Sequence, residues 1–214
     1  MASPSAAAEY ERLSDERTET WWSYVEQPAK VRAAARTSAR RVGTLRTRTH
    51  LGSPDTVVVL GRQDRWTRVR FSGIGSRSGW VPTRVLSAPE RVSTRLVVDR
   101  ARRRVLLYDR GERVLKLRAG VGASGSPTPR GQFFVREKVI SKSPGGIYGP
   151  VAFGLSAHSP YRTDWPGGGQ VGVHGTNQPG LIPGRISNGC VRLRNRSVTR
   201  LAERLPVGTP VTVR

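Results

Sequence analysis

Punctuation limits what this chain can fold into more than any other feature. Apolar runs are short, and each is closed by glycine, proline or small polar residues; 24 glycines and 15 prolines are spread through 214 residues. Such a pattern leaves little room for long helices and reads as strands joined by turns. The length suffices for one medium domain or two small ones with a real core. A mainly β, turn-rich architecture is therefore expected.

Residues 1–27 are polar and mixed in charge. Disorder is expected before Tyr10, followed by a short, weakly patterned helix ending near Trp21, Trp22 and Tyr24. Residues 28–89 change character. "TVVVLGRQ" and "RWTRVRF" are strands by residue type, with Trp66, Val69 and Phe71 set among polar partners, and "SGIGSRSG" is a turn. "GWVPTRVLS" closes the block, which predicts a small barrel. Residues 89–94, "PERVST", read as a linker. Residues 90–214 form a second β-rich block. Its first strands are centred on Leu96–Val98, Val105–Leu107 and Val114–Leu117, with a tight hairpin at "DRG" 109–111. Further strands are expected at "GQFFVREKV" and "VGVHGTN", and one late helix over about 195–205 with Ser197, Val198, Leu201 and Leu205 on one face. Residues 141–172, rich in Gly, Pro and Ser, predict a long loop or lid.

The formal net charge is +22, and arginine supplies nearly all of it. That balance favours polyanionic partners such as acidic wall polymers. The arginines are scattered and form no basic stripe on a recognisable motif, so nucleic acid is not expected. The single cysteine excludes an intramolecular disulfide. No apolar window is long enough for a membrane-spanning helix. The first residues lack the charged and apolar regions of an export signal.

That cysteine lies in "HGTNQPGLIPGRISNGCVRLRN", residues 174–195. A lone cysteine is most often a small buried apolar residue. "SNGC" is a poor setting for one, being polar and glycine-containing. A nucleophilic thiol needs a base or a helix N-terminus near it, because at its ordinary pKa of about 8.5 little thiolate exists at neutral pH. The segment offers His174 at a strand end and a helix beginning near Asn195. Backbone N–H groups around Asn188, Gly189 and Cys190 are candidates for an oxyanion hole. Arg192 is placed to hold an anionic substrate or the local fold. His50, His158, His174 and Cys190 lack metal-ligand spacing, so no metal or other cofactor is expected.

The order "HGTN", then "SNGCVRLRN", resembles the signature of the L,D-transpeptidase catalytic domain, with Asn188 where most members carry histidine. "VVDRARRRVLLYDRGERVLKLRAGVG", "SPTPRGQFFV" and "GIYGPVAFGLSAHS" resemble the other parts of that domain in order, from about Arg95 to Arg214. "RSGWVPTRVLS" resembles the closing element of bacterial SH3-like domains. The resemblances imply a small SH3-like barrel followed by a β-sandwich with one or two short helices. They imply a peptidoglycan enzyme in which Cys190 is the nucleophile, His174 the base, and the carbonyl of Gly175 orients the imidazole. Ser187, Asn188 and Gly189 would shape the turn and oxyanion hole. Arg192, Asn195, Tyr148, Phe153, Ser156 and His158 would line the substrate side.

The implied reaction releases D-alanine from a tetrapeptide stem and passes the acyl group to a side-chain amine, giving a 3→3 cross-link; a carbapenem adduct on Cys190 is expected. Two alternatives remain: an L,D-carboxypeptidase with the same site, and a basic wall-binding protein whose cysteine is idle. Wall cysteine peptidases place cysteine before histidine, and sortases differ around the cysteine. Such a substrate lies outside the cytoplasmic membrane, so export is expected.

Overall fold

The hairpin at Asp109–Glu112 shows how the punctuation works. Asp109 pairs with Glu112 across a two-residue loop, Arg110 and Gly111, with φ of 48° and 87°. Two left-handed residues match the twist of the flanking strands, and Gly111 takes this conformation without a Cβ penalty. The strands it joins are Arg104–Asp109 and Glu112–Arg118. In a computed structural model, which describes residues 9–161 and 168–214, two sheets account for most of the chain. The disorder expected before Tyr10 falls mainly on residues 1–8, outside the described residues.

The first sheet has eight strands. Its order is Arg41–Leu45, Ala29–Arg32, Arg77–Pro82, Trp66–Phe71, Thr56–Gln63, Thr20–Tyr24 and Glu90–Val92, with Glu11–Arg12 also paired to Thr56–Gln63. Val31, Val57, Val69, Phe71 and Val81 fill its core. The helix expected before Tyr24 is instead the strand Thr20–Tyr24, with Trp22 opposite Val58 on one side and Glu90 on the other. Aromatic residues suit a pleated, half-buried surface, and here both neighbours supply hydrogen bonds. The segment 89–94 is not a free linker, because Glu90–Val92 pairs with Thr20–Trp22 and Thr94 already opens the next sheet. The chain crosses between sheets at Ser93.

The second sheet has ten strands: Glu112–Arg118, Arg104–Asp109, Thr94–Asp99, Pro210–Val213, Gly131–Ile140, Val151–His158, Gln170–His174, Val191–Arg192, Gly120–Gly122 and Gly184–Ser187, in that order. The strand Val151–His158 occupies the middle of what reads as a loop in the sequence. Gly154, Ser156 and His158 disguise it, yet it is held between two neighbours and buries Phe153, Leu155 and Ala157. The rest of the segment is turn and loop, apart from the opening of Gln170–His174; residues 162–167 lie outside the described residues. The single α-helix among the described residues is Asn195–Ala202. Val198 and Leu201 are fully buried in the core, each contributing about 1.5–3 kcal/mol. The helix ends three residues before Leu205, which is still buried.

The two sheets dock on each other directly. Trp22, Val58 and Val92 of the first pack with Phe134 of the second. Beside them the carboxylate of Asp55 accepts two hydrogen bonds from Arg136, Nε to Oδ1 and Nη2 to Oδ2, both 2.6 Å, with both residues buried. Thr56 Oγ1 donates to the Arg136 carbonyl at 2.8 Å, and the N–H of Gly73 donates to the Ser156 carbonyl at 2.9 Å. A charge pair taken out of water is stable only when its hydrogen bonds are completed this way.

Candidate active site

Parallel pairing of Gln170–His174 with Val191–Arg192 builds the site. Val173 lies opposite Val191, and His174 opposite Arg192. This register continues one step to set Gly172 against Cys190, and the Gly172 N–H points at Cys190 Sγ across 3.4 Å. The residues between, 175–190, are the crossover that parallel strands require. The fifteen residues between His174 and Cys190 in the sequence thus bring the imidazole and the thiol together, one on a strand and the other at the start of its neighbour.

The imidazole of His174 is 4% exposed. Its Nδ1 lies 2.7 Å from the carbonyl oxygen of Gly175, which can only accept. Nδ1 therefore carries the proton in the neutral ring, and Nε2 is left as the basic nitrogen. The Tyr148 ring packs against it in a T-shaped arrangement, 4.9 Å between centroids and 68° between planes. Burial, reinforced by the charge of Arg192 and opposed by the Gly175 hydrogen bond, pushes the imidazole down to about 4. Burial also pushes the Cys190 thiol up, against the Gly172 N–H and Arg192, which both favour thiolate. At neutral pH the resting pair is thus a thiol beside a neutral imidazole.

The turn carrying Cys190 is fixed from within. Ser187 Oγ donates to the carbonyl of Cys190 and accepts the Gly189 N–H at 3.3 Å. Gly189 has φ of 114°, a backbone conformation that residues with a Cβ rarely adopt. Asn188 is exposed on the rim. Behind His174, the Oδ1 of Asn195 accepts the N–H of Thr176 at 2.8 Å, so the start of the helix holds the turn that follows His174.

Two cavities meet at Cys190 and His174. One, about 170 Å³, is of mixed polarity and is lined by Asn177, Gln178, Ser187, Asn188 and Arg192 as well as Tyr148. The other, about 280 Å³, is mainly apolar and includes Leu51, Val139, Ala152 and Phe153. Arg192 presents a buried Nε that has no hydrogen-bond partner among the described residues.

The structure therefore brings together Cys190, His174, Gly175, Ser187, Asn188, Gly189, Arg192, Tyr148 and Phe153. Asn195 lines neither cavity and braces the turn instead. Ser156 and His158 do not reach the cleft. Ser156 Oγ accepts the Phe134 N–H at 3.1 Å, and His158 bridges Ser72 Oγ and the Gly168 carbonyl, each at 3.0 Å, where the two sheets meet. Both residues lie toward the far end of the strand Val151–His158 from Ala152, Phe153 and Gly154, which line the second cavity, and a register irregularity falls between Gly154 and His158. Sequence reasoning missed Gln170, which lines both cavities, and Leu51, which reaches the second from the other sheet. Gln170 lies immediately before the apolar run that ends at His174, a usable signal; Leu51 offers none.

A family model of the L,D-transpeptidase catalytic domain, YkuD, matches residues 93–213. The chain is 33% identical over 125 residues to YkuD of Bacillus licheniformis, covering 58% of this chain and 68% of that protein. It is 33% identical over 147 residues to YbiS of Escherichia coli K12, covering 59% of this chain and 46% of that one. It thus spans two thirds of the first relative and about half of the second. Among solved structures, the catalytic domain of an E. faecium L,D-transpeptidase aligns over 56% of this chain and 96% of that domain, at 24% identity and a TM-score of 0.41, too low to add weight. On the strength of the sequence match across its second sheet, the chain belongs to the L,D-transpeptidase catalytic-domain family.

Proposed function

We propose that this protein is a peptidoglycan L,D-transpeptidase that forms 3→3 cross-links through an acyl-enzyme on Cys190. The observation that carries the reading is one cavity lined together by Cys190, His174 and Arg192, with His174 Nδ1 tied to Gly175. That tie aims the basic Nε2 at the task of taking a proton, as nucleophilic catalysis by a thiol of raised pKa requires.

In the first step the Cys190 proton passes to His174 as Sγ bonds to the carbonyl carbon of the third stem residue. The C–N bond to D-alanine breaks, and His174 returns the proton to the departing amine. A thioester remains. In the second step the side-chain amine of a neighbouring stem attacks that carbon, the C–S bond breaks, and the amine proton reaches sulfur through His174. Backbone N–H groups of the Asn188–Cys190 turn hold the developing oxyanion. Arg192, with an unpaired buried Nε, suits the carboxylates of the stem.

The first sheet, on this reading, is an SH3-like module that binds wall material, and the +22 charge adds affinity for anionic wall polymers. The substrate places the working protein outside the cytoplasmic membrane.

Intact-mass analysis after incubation with a carbapenem tests the site. One adduct on the wild-type protein and none on Cys190→Ala is expected; an unmodified wild-type protein would sink the acyl-enzyme reading. Muropeptides weighed after incubation with wall material then separate a 3→3 dimer from simple loss of D-alanine, the carboxypeptidase outcome.

A further inference from the structure

Leu51 is the unexpected member of the cleft. It sits at the tip of the turn between Arg41–Leu45 and Thr56–Gln63, in the first sheet, yet it lines the apolar cavity that ends at Cys190 and His174. Single exposed leucines are ordinary. This one, 59% exposed, faces a cavity with a nucleophile at its end.

The tip is held in place rather than loosely draped. The N–H of Thr49 donates to Ser53 O at 2.9 Å, that of Gly52 to Thr49 O at 3.1 Å, and Arg48 Nη1 to Gly52 O at 2.6 Å. The Leu51 N–H donates to Thr49 Oγ1 at 3.2 Å. Thr49 is buried, and its hydroxyl donates to Glu137 Oε2 at 2.8 Å; Glu137 Oε1 accepts Gln170 Nε2 at 3.0 Å. Gln170 lines both cavities beside Cys190. A chain of three hydrogen-bonded side chains thus fixes the tip of the first sheet relative to the cleft of the second.

The two cavities differ in what they can accept. The smaller one, of mixed polarity and holding Arg192 and amide side chains, suits an anionic peptide. The apolar one, walled by Leu51, Val139, Ala152, Phe153 and Val171, suits a hydrocarbon arm. Resolution of a thioester by an amine needs the neutral amine, and apolar walls disfavour the ammonium form. We propose that Leu51 is a specificity-determining residue for the resolving step: it closes the apolar side of the cleft and selects amines carried on an aliphatic arm. The assignment rests on the acyl-enzyme reading above. In the step concerned, the amine nitrogen bonds to the thioester carbon, the C–S pair returns to sulfur, and the amine proton passes through His174 to restore the thiol. Water in place of the amine gives the free acid.

The test uses the full chain, a tetrapeptide donor ending in D-alanine, and two probe amines of different arm: n-hexylamine and 2-(2-aminoethoxy)ethanol. Products are weighed by mass spectrometry. The wild-type protein is expected to prefer n-hexylamine at least fivefold in kcat/KM. Leu51→Asp is expected to reduce that preference to within twofold of unity and to favour the hydrolysed product, while Leu51→Met keeps it. A preference that survives Leu51→Asp, or its absence from the wild type, overturns the assignment. So does a Leu51→Asp effect confined to the donor's KM. Failure of the wild type to form any Cys190 adduct is a separate result, which sinks the acyl-enzyme reading and this assignment with it. Folding is checked by Tm, and the exposed tip makes both variants compatible with it.

Discussion

The backbone N–H of Gly172 points at the Sγ of Cys190 from the adjacent parallel strand, 3.4 Å away. This contact favours thiolate, but burial opposes it and holds the thiol protonated at neutral pH. In the proposed mechanism, proton transfer to His174 therefore accompanies attack. Because His174 is pushed down to about 4, the carbapenem acylation rate should be flat from pH 6 to 8 and fall only as pH approaches 4. Acylation followed by intact mass across pH 3.5–8 checks this. A step centred near 6.5 would contradict the buried imidazole.

The same shift has a sign in stability. The unfolded chain binds a proton at His174 near the ordinary histidine value, and the folded chain only near 4. Between those values the unfolded state binds more protons, so this stability is present above pH 6.5 and is lost as pH falls toward 4. The wild-type protein should lose about 3 kcal/mol more than His174→Gln between pH 7 and pH 4, at about 1.4 kcal/mol per unit. Urea unfolding of both proteins at the two pH values measures it.

Gly189 sets the backbone that carries Cys190. Its φ of 114° is essentially a glycine conformation, and an added Cβ would meet nothing closer than 3.9 Å, an ordinary contact, so strain and not collision decides the outcome. Gly189→Ala should cost about 1–3 kcal/mol in stability and slow acylation at least tenfold by moving the Ser187–Cys190 turn. Wild-type Tm and acylation in the variant would show that the turn tolerates a Cβ.

What could be read in advance divides along local and non-local lines. Hairpins such as Asp109–Glu112 and the late helix were legible because their signals lie within a few residues. The pair Cys190 and His174 was legible as a motif, and Gly175 with it. Val151–His158 was not, because Gly154 and two polar residues interrupt a strand whose burial comes from both neighbours. Thr20–Tyr24 misled for a related reason: its partners, Thr56–Gln63 and Glu90–Val92, are far along the chain. The contact of His158 with Ser72 of the other sheet, and the reach of Leu51 into the cleft, depend on how the two sheets dock, which no local pattern encodes.

That docking has its own prediction. Asp55 and Arg136 are both buried and bound to each other through two hydrogen bonds. Removing one partner strands a buried charge, which costs about 3–5 kcal/mol. Asp55→Ala should lower stability by that amount. Asp55→Ala combined with Arg136→Met should recover much of it, because the second change removes the stranded charge. Thermal unfolding of the three proteins decides; no recovery in the double variant would argue that the pair holds more than itself.

Asn195 braces the turn that follows His174 and lines neither cavity. Its Oδ1 accepts the N–H of Thr176, a buried residue, at 2.8 Å, and lies against Gly175, whose carbonyl holds His174. Asn195→Ala leaves that N–H without an acceptor, at about 1–3 kcal/mol, and frees the turn that sets the imidazole tautomer. Acylation should fall at least tenfold. Asn195→Asp keeps an acceptor oxygen for Thr176 and adds a negative charge near the ring, which favours imidazolium. That variant should regain most of the stability while its low-pH limb of acylation moves upward from about 4. The pH profile separates positioning from mere folding: an Asn195→Asp protein that is stable yet shows an unmoved limb would mean that the helix start does not act through His174.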